Sequence, residues 1–579
     1  MTSASPPAPA SHDRRAGLAE PLRLSVYLLV LLTFMALMPI GPLLPQAFLF
    51  RQDLPVIVLL FALLAAMRTW RLPITGRRYD GNVARPVLLL GAALLVVCVA
   101  GHHIVMWGYA LSRDEQLVLF DAEVFAHGSL AAHLPAEWGP LHQALNVLYM
   151  PVGFQGEGWV SIYRPVNAAF HALVGLAGDR AWTNPILAVI GLVATWRVAR
   201  RLLPDDRESQ FVAVLLYATS TQVLALAMTS YAMTGHLALN MVWLALFLRD
   251  KWYAHIGAIV VGLLAIGLHQ LIYHPLFAGP FLFFSLVLKR RWGWSAVYAF
   301  AYAAGILLWA RYSIYPLREL GMKPAPSDGD GFLLTRMLWA VQELSPEYLW
   351  IKAVNLVRFI AWQNLILLPL LLVGMRSAVK SRDRRLWGMV AAIAVLIVFK
   401  LVLRPYQGHG WGYRYMHGVV GIACILAAIG WGELRARGAI GMRHLQIATA
   451  ATMLAAAPWL LWQAHQFSGI FARQDRAIAR TDADLVIVEN GGAEFAQDLV
   501  YNPPYLDRRP IRLLASELDG ADMARLCAGR SVAFVDAKTL ASFNAVVGRA
   551  SDPRANRIPE LRRAALAVGC DVRAYAAPD

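Results

Sequence analysis

Long apolar runs, separated by short polar connections, cover most of this chain. From about residue 22 to about residue 463 the runs are roughly 17–25 residues long, and a helix of that length crosses about 30 Å of hydrocarbon. A soluble protein would need a series of buried helices, apolar on all faces, to accommodate the same runs. The pattern predicts thirteen membrane spans, at residues 22–44, 54–70, 86–109, 181–199, 209–227, 230–248, 253–270, 272–288, 294–316, 351–375, 386–404, 413–433 and 445–463.

Composition supports a membrane protein. Hydrophobic residues make up 58% of the 579 residues and charged residues only 16%, and a soluble chain of this length would need more charge to stay dispersed. The net charge of +16 resembles that of nucleic-acid-binding proteins. In a membrane protein, however, the position of Lys and Arg in the loops matters more than their sum, so we expect no nucleic-acid partner.

Lys and Arg are concentrated in alternate connections between the runs. Connections near residues 52–53, 228–229, 271 and 405–412 carry almost none. Because cationic loops stay on the cytoplasmic side, we expect a cytoplasmic N-terminus, with residues 1–21 disordered, and a C-terminus outside. The first apolar run is too long for a signal peptide, and we interpret it as a retained span.

This orientation predicts a membrane part at residues 22–464 with two long external loops, 111–180 and 317–350. Residues 465–579 then form an external domain, with strands predicted at residues 484–489, 531–536 and 571–575 and helices at residues 521–526 and 559–567. A domain of roughly 110 residues can support a small α/β fold. The predicted fold class is an all-α polytopic membrane bundle with a small C-terminal α/β domain.

The four cysteines fit this division. Cys98 and Cys424 lie inside spans, where a free thiol behaves as a small apolar group. Cys527 and Cys570 are the two cysteines of the C-terminal domain, and an oxidising compartment permits a disulfide between them; two buried free thiols are the alternative. The chain has no metal-ligand spacing and no nucleotide-binding motif, so neither a metal nor a nucleotide cofactor is indicated.

An acidic pair, Asp114 and Glu115, follows the third predicted span. Ser112 and Glu115 have the spacing of a capping box, which predicts a helix that begins here with Asp114 in its first turn. Asp121 lies seven residues further on and therefore on the same face. An interfacial helix with a hydrated face is the structural alternative to a functional carboxylate.

Cations and glycines cluster before the twelfth span. Three glycines between aromatic and basic residues indicate a tight turn whose backbone can approach a phosphate or a sugar. An interfacial aromatic belt with Arg reaching the headgroups would give the same composition. The candidate phosphate- and sugar-binding residues on this outer face are Arg404, His409, Arg414, Tyr415 and His417, with Arg164 and His269 from other loops.

The order of these features resembles that of the GT-C membrane glycosyltransferases, in particular the family 39-like and aminoarabinose-transferase-like members that use polyprenyl-phosphate sugars. The specific part of the resemblance is the outward Asp114 and Glu115 after an odd-numbered span, and more weakly Arg414 and Tyr415 at the outer start of a late span. It covers about residues 85–435. The chain departs from the pattern by two additional spans before the acidic loop.

The resemblance implies a hexosyl- or pentosyltransferase of the bacterial inner membrane that moves a sugar from a polyprenyl-phosphate donor to an acceptor hydroxyl, with inversion, on the extracytoplasmic face. Asp114 would be the general base and Glu115 its neighbour or orienter, while cations would stabilise the leaving phosphate. The acceptor would be a glycolipid, a glycan or a protein. A transporter or flippase of lipid-linked sugars and a polysaccharide polymerase or ligase are the alternatives.

Overall fold

The structure, a computed structural model, describes residues 11–39, 43–69, 78–146, 157–321, 346–402, 410–493, 495–547, 556–576 and 578. It is mostly helical. Among these residues, six helices are long and apolar enough to cross a membrane, and a bent pair would make a seventh. The count of thirteen spans stays a prediction. The six helices are Leu18–Ala36, Leu44–Thr69, Ala84–Ile104, Trp292–Ala310, Arg414–Ala436 and Met442–Arg480.

Further helices complete the bundle. Each of them is either shorter or less apolar than the six helices above. These helices are Pro165–Ala177, Thr183–Leu202, Arg207–Ala218, Thr221–Ala227, Met233–Phe247, Trp252–Ile266, Tyr273–Val287, Pro346–Ala361, Leu367–Lys380 and Arg384–Val402.

Two predicted spans are broken in the structure, and the breaks face each other. The predicted span 209–227 is a helix pair bent by 50°, and the predicted span 351–375 is two helices, Pro346–Ala361 and Leu367–Lys380. Across the gap, Ser220 Oγ donates to Gln363 Oε1 at 2.8 Å and the backbone N–H of Gln222 donates to Trp362 O at 2.9 Å. Where a helix is interrupted, some backbone N–H and C=O groups lose their partners within the helix. Polar side chains at both breaks can form hydrogen bonds to these groups instead.

A four-stranded parallel sheet follows the last long helix. Strands β1 (Ala132–His133) and β2 (Gly158–Trp159) form a separate antiparallel pair earlier in the chain. Strands β3 (Leu485–Val488), β4 (Ile511–Leu514), β5 (Ser531–Val535) and β6 (Asp571–Val572) lie in the order β4-β3-β5-β6. Helices Gly520–Leu526, Ala541–Val547 and Ile558–Ala567 accompany it. The central strands are buried on both faces, as parallel strands covered on both sides require. The last long helix extends to Arg480, and the first strand of the sheet begins at Leu485, within the strand predicted at residues 484–489.

The two faces of this sheet have different neighbours. On one face, Val486 and Val535 share a core with Phe471 of the last long helix. On the other face, Ile487 and Phe534 share a core with Phe120 and other apolar residues of the first predicted external loop. The sheet therefore packs with one face against the membrane bundle and with the other against the loop that carries the acidic pair.

A disulfide joins Cys527, at the end of helix Gly520–Leu526, to Cys570, just before β6. Of the two arrangements that the sequence left open, the structure has the disulfide. Cys98 and Cys424 are free and buried.

Candidate active site

The acidic pair opens a helix, Arg113–Ala126, which we name the acidic helix. Ser112 is its N-cap residue, as the sequence predicts, but the capping box does not form. Ser112 Oγ instead lies 2.8 Å from the Tyr231 hydroxyl. Glu115 accepts a hydrogen bond of 2.8 Å from the backbone N–H of Ser230. Both side chains thus attach the helix to the membrane bundle instead of closing its first turn.

Asp114 lies at the centre of a group of polar side chains. Its Oδ1 accepts a hydrogen bond from the Tyr163 hydroxyl, and its Oδ2 lies 2.5 Å from a guanidinium nitrogen of Arg414. The Asp114 side chain is 27% exposed, so a substrate can reach it. Burial alone would raise the pKa of Asp114, but the charges of Arg414 and His269 and the Tyr163 hydrogen bond lower it to about 2.

Glu115 has the opposite electrostatic environment. The residue is only 3% exposed. Burial raises the pKa of Glu115 to about 8, despite its hydrogen bond from Ser230, and the negative charge of Asp114 acts in the same direction as burial. At neutral pH Glu115 is therefore mostly protonated while Asp114 is ionised. Glu115 therefore holds the helix against the bundle, whereas Asp114 carries the negative charge of the pair.

Asp121 belongs to a separate site. It lies on the same helix as Asp114, but its carboxyl accepts hydrogen bonds from the Ser161 hydroxyl at 2.6 Å and the Ser161 backbone N–H at 3.1 Å. Burial raises the pKa of Asp121 to about 7. The helical spacing of seven residues was correct, but the two carboxyl groups do not share a site.

Arg414 reaches Asp114 because the turn before it is firmly held. Gln222 Nε2 donates to Tyr413 O at 3.1 Å, and Arg358 donates to Gly410 O at 3.1 Å. Gly412 has φ +66, and a Cβ there would lie 2.5 Å from Gln222 Oε1, so only glycine fits. The guanidinium then packs over the aromatic rings of Tyr231 and Tyr415, with its carbon 4.9 and 5.3 Å from the ring centroids.

Further basic groups surround the carboxylate. The His269 ring lies edge-on to Tyr163, with centroids 5.0 Å apart. It is within electrostatic range of Asp114, Arg414, Lys400 and Arg164. The structure therefore gathers the predicted residues Arg164, His269, Arg414 and Tyr415 at the end of the bundle that carries Asp114.

Three predicted residues lie elsewhere or outside the described ranges. His417 is fully buried, and its Nδ1 lies 3.4 Å from Gln222 Nε2, so it supports the helix break instead of facing the carboxylate. Arg404 and His409 lie outside the described residues.

Lys400 was not predicted and is the clearest addition to the site. It is buried near the end of helix Arg384–Val402, donates to the Tyr273 hydroxyl, and lies 3.9 Å from the ring centroid of Tyr415. Lys352 lines a small cavity with it. The signal was present in the sequence, because a lysine inside an apolar span is rare and commonly functional.

A crevice runs from Arg414 into the bundle. His236, Tyr273, Tyr415 and Phe277 are among its lining residues. Its interior of about 20 Å³ holds about one water molecule. Neither ring nitrogen of His236 has a hydrogen-bond partner among the described residues. His274 and Asn240 bond to each other at 2.9 Å, which explains their place inside the bundle as interhelical hydrogen bonding.

Within the described ranges, no group of three His, Cys, Asp or Glu side chains is arranged to hold a metal ion.

The chain is similar in structure to several solved chains. ArnT from Cupriavidus metallidurans bound to undecaprenyl phosphate superposes with a TM-score of 0.50 at 14% identity, over 73% of this chain and 86% of that one. Its apo state gives 0.47 at 12% identity, over 73% and 85%. The arabinofuranosyltransferase AftD from Mycobacteria gives 0.32 at 16% identity, over 79% of this chain and 34% of that one.

By sequence, no family description and no curated protein matches the chain. The likeness to ArnT therefore identifies the fold, and the predicted resemblance to the GT-C fold is confirmed at that level.

Proposed function

We propose that this protein is a membrane glycosyltransferase that moves a sugar from a polyprenyl-phosphate donor to an acceptor hydroxyl. The observation that carries the proposal is the partly exposed Asp114 carboxylate in contact with Arg414 and surrounded by further basic groups. An ionised carboxylate can take a proton from an acceptor, and cations can hold an anionic donor beside it. The shared fold supports this reading, and the lipid phosphate bound by ArnT suggests the chemical class of the donor.

In the proposed reaction, Asp114 accepts the proton of the acceptor hydroxyl as its oxygen attacks the anomeric carbon. The bond between that carbon and the phosphate oxygen breaks, and its electron pair leaves with the polyprenyl phosphate. A phosphate leaves without being protonated, so no second acid is required. Attack from the side opposite the leaving group inverts the anomeric centre, and Arg414, Lys400 and Arg164 are the groups that would stabilise the departing charge.

The low pKa of Asp114 makes the carboxylate a weak base while Arg414 is bound to it. We infer that the donor phosphate competes for the Arg414 guanidinium. As that contact is shared, the pKa of Asp114 would rise towards its usual range, because the opposite charge that lowers it is partly withdrawn. Donor binding would in this way activate the base.

The test is turnover by the purified full chain with labelled polyprenyl-phosphate sugars and a membrane glycolipid extract as acceptor. Asp114→Asn is expected to reduce release of polyprenyl phosphate by about 10²–10⁴-fold. Glu137→Gln removes an exposed carboxylate that pairs with Arg530 and serves as the matched control. Undiminished turnover in Asp114→Asn would remove Asp114 as the base. Movement of the intact lipid-linked sugar across vesicles, with no sugar released, would favour the transporter.

A further inference from the structure

We propose that the end of the bundle opposite Asp114 binds an anionic phospholipid in a groove between helices Thr183–Leu202 and Met233–Phe247. The groove has a volume of about 370 Å³. Apolar side chains form its walls and four arginines, Arg197, Arg200, Arg201 and Arg249, lie at its polar end. This proposal is independent of the transferase reaction.

The groove lies far from the candidate active site. Asn184, at the start of helix Thr183–Leu202, donates to Tyr231 O at 2.9 Å, and Tyr231 lies against Arg414. Arg197 to Arg201 come 13 to 17 residues later, which at 1.5 Å per residue is about 20–25 Å along the axis. Helix Met233–Phe247 likewise begins next to Tyr231 and ends close to Arg249.

Helical spacing aligns the apolar walls with the charges. Ile190, Val193, Arg197 and Arg201 follow one another at intervals of three or four residues and therefore share one face of their helix, and Arg200 lies three residues after Arg197. On the facing helix, Val242, Leu246 and Arg249 are spaced in the same way, and Ala245 lies four residues before Arg249. Two stripes that are apolar in the bundle and cationic at its end thus oppose each other.

The arginines are not neutralised within the described part of the chain. All four are exposed, and none forms an ion pair with a described carboxylate. Asp250, the neighbour of Arg249, is engaged by Arg291 and His255. Arg201 lies in the electrostatic range of Arg249, Arg200 and Arg385. The guanidinium groups repel one another, and an anion between them would relieve that repulsion.

The arginines and the apolar walls of the groove together indicate which ligand it binds. A free phosphate would satisfy the arginines but leave the apolar walls uncovered. A phospholipid satisfies both, because its phosphate meets the guanidinium groups while an acyl chain lies along Ile190, Val193 and Leu246. Ile190 is 41% exposed on the outer side of the groove, so the groove opens laterally to the surrounding lipid.

Native mass spectrometry of the purified full chain in mixed micelles tests this proposal, with phosphatidylglycerol as the probe. Phosphatidylcholine and inorganic phosphate are the comparison ligands. Wild type is expected to retain phosphatidylglycerol over both. Replacing Arg197, Arg200, Arg201 and Arg249 together by Gln should weaken retention by about tenfold or more. The matched control replaces Lys289, Arg290, Arg382 and Arg443 by Gln, which removes four exposed charges from the same end of the bundle, and it should bind as wild type does.

A second variant, Ala245→Phe, fills the groove and leaves every charge in place, and it should also lose the lipid. This variant decides the matter if the fourfold groove variant does not fold. The proposal fails if Ala245→Phe binds as wild type, if both fourfold variants lose the lipid equally, or if phosphatidylcholine or inorganic phosphate binds as well as phosphatidylglycerol.

Discussion

At the scale of single residues, the site divides two adjacent carboxyl groups between two roles. Asp114 contacts Arg414 and Tyr163 and stays ionised, whereas Glu115 is buried against Ser230 and is mostly protonated at neutral pH. The difference arises because a helix turns neighbouring side chains in different directions. One carboxyl group faces the cationic crevice and the other faces the bundle.

Tyr163→Phe should move the acidic limb of the pH–rate profile to higher pH. The Tyr163 hydroxyl donates to Asp114 Oδ1 and lowers the pKa of Asp114, so its removal raises that pKa. A hydrogen bond to a charged group contributes about 1.5–3 kcal/mol, which corresponds to a shift of about one to two pH units. The measurement is kcat/KM against pH for both proteins. An unmoved acidic limb would show that Asp114 does not control it.

Glu115→Gln should make stability less sensitive to alkaline pH. The pKa of Glu115 is raised from 4.5 to about 8 in the folded chain. The favourable contribution of its protonated form is therefore complete below about 4.5 and is lost as pH rises through about 8. Gln keeps the acceptor for Ser230 and cannot ionise.

The measurement is the thermal unfolding midpoint of both proteins in detergent between pH 5 and about 9. The wild-type midpoint should fall by more than that of the variant across this interval. Parallel curves would show that Glu115 does not ionise in the folded protein.

At the scale of elements, short-range patterns were predictable from the sequence and long-range partners were not. The start of the acidic helix at Ser112 was predicted, but its capping box was wrong, because Tyr231 and Ser230 compete for the same side chains. Strand β4 was not predicted, since its four residues follow a turn-rich segment. The break at residues 362–366 depends on Gln363 meeting Ser220, a contact between distant segments that no local pattern contains.

Asp498→Asn should slow the reaction by loosening the acidic helix. Asp498 forms an ion pair of 2.9 Å with Arg113, and its backbone carbonyl accepts from Gln116 at 2.6 Å, so it holds the helix on both sides of Asp114. Small displacements of a catalytic group are costly, and we expect kcat to fall by about tenfold with little change in KM for the donor.

The control is again Glu137→Gln, which removes another ion pair between the same loop and the C-terminal domain. The charge-exchanged pair Arg113→Asp and Asp498→Arg should recover part of the lost rate. An equal loss in the control would indicate general loosening of the loop instead of a specific effect on Asp114.

At the scale of the whole molecule, the two ends of the bundle have distinct chemistry. One end carries Asp114, the crevice and the C-terminal sheet with its disulfide. The other carries the arginine groove and the exposed cations of the connections beside it, Lys289 and Arg290 among them. The acidic helix is held by both parts, because it packs against the C-terminal sheet and also bonds to Ser230 of the bundle.

This asymmetry makes a prediction about orientation. Cationic loops stay on the cytoplasmic side, so the groove end should face the cytoplasm and the Asp114 end the outside, where an oxidising compartment permits the Cys527–Cys570 disulfide. A tag placed after Asp579 should be labelled in intact cells by a reagent that cannot cross membranes. A cysteine introduced by Lys289→Cys should be labelled only after permeabilisation. The reverse pattern would place Asp114 on the cytoplasmic side, and the donor would then have to be reached from the cytoplasm.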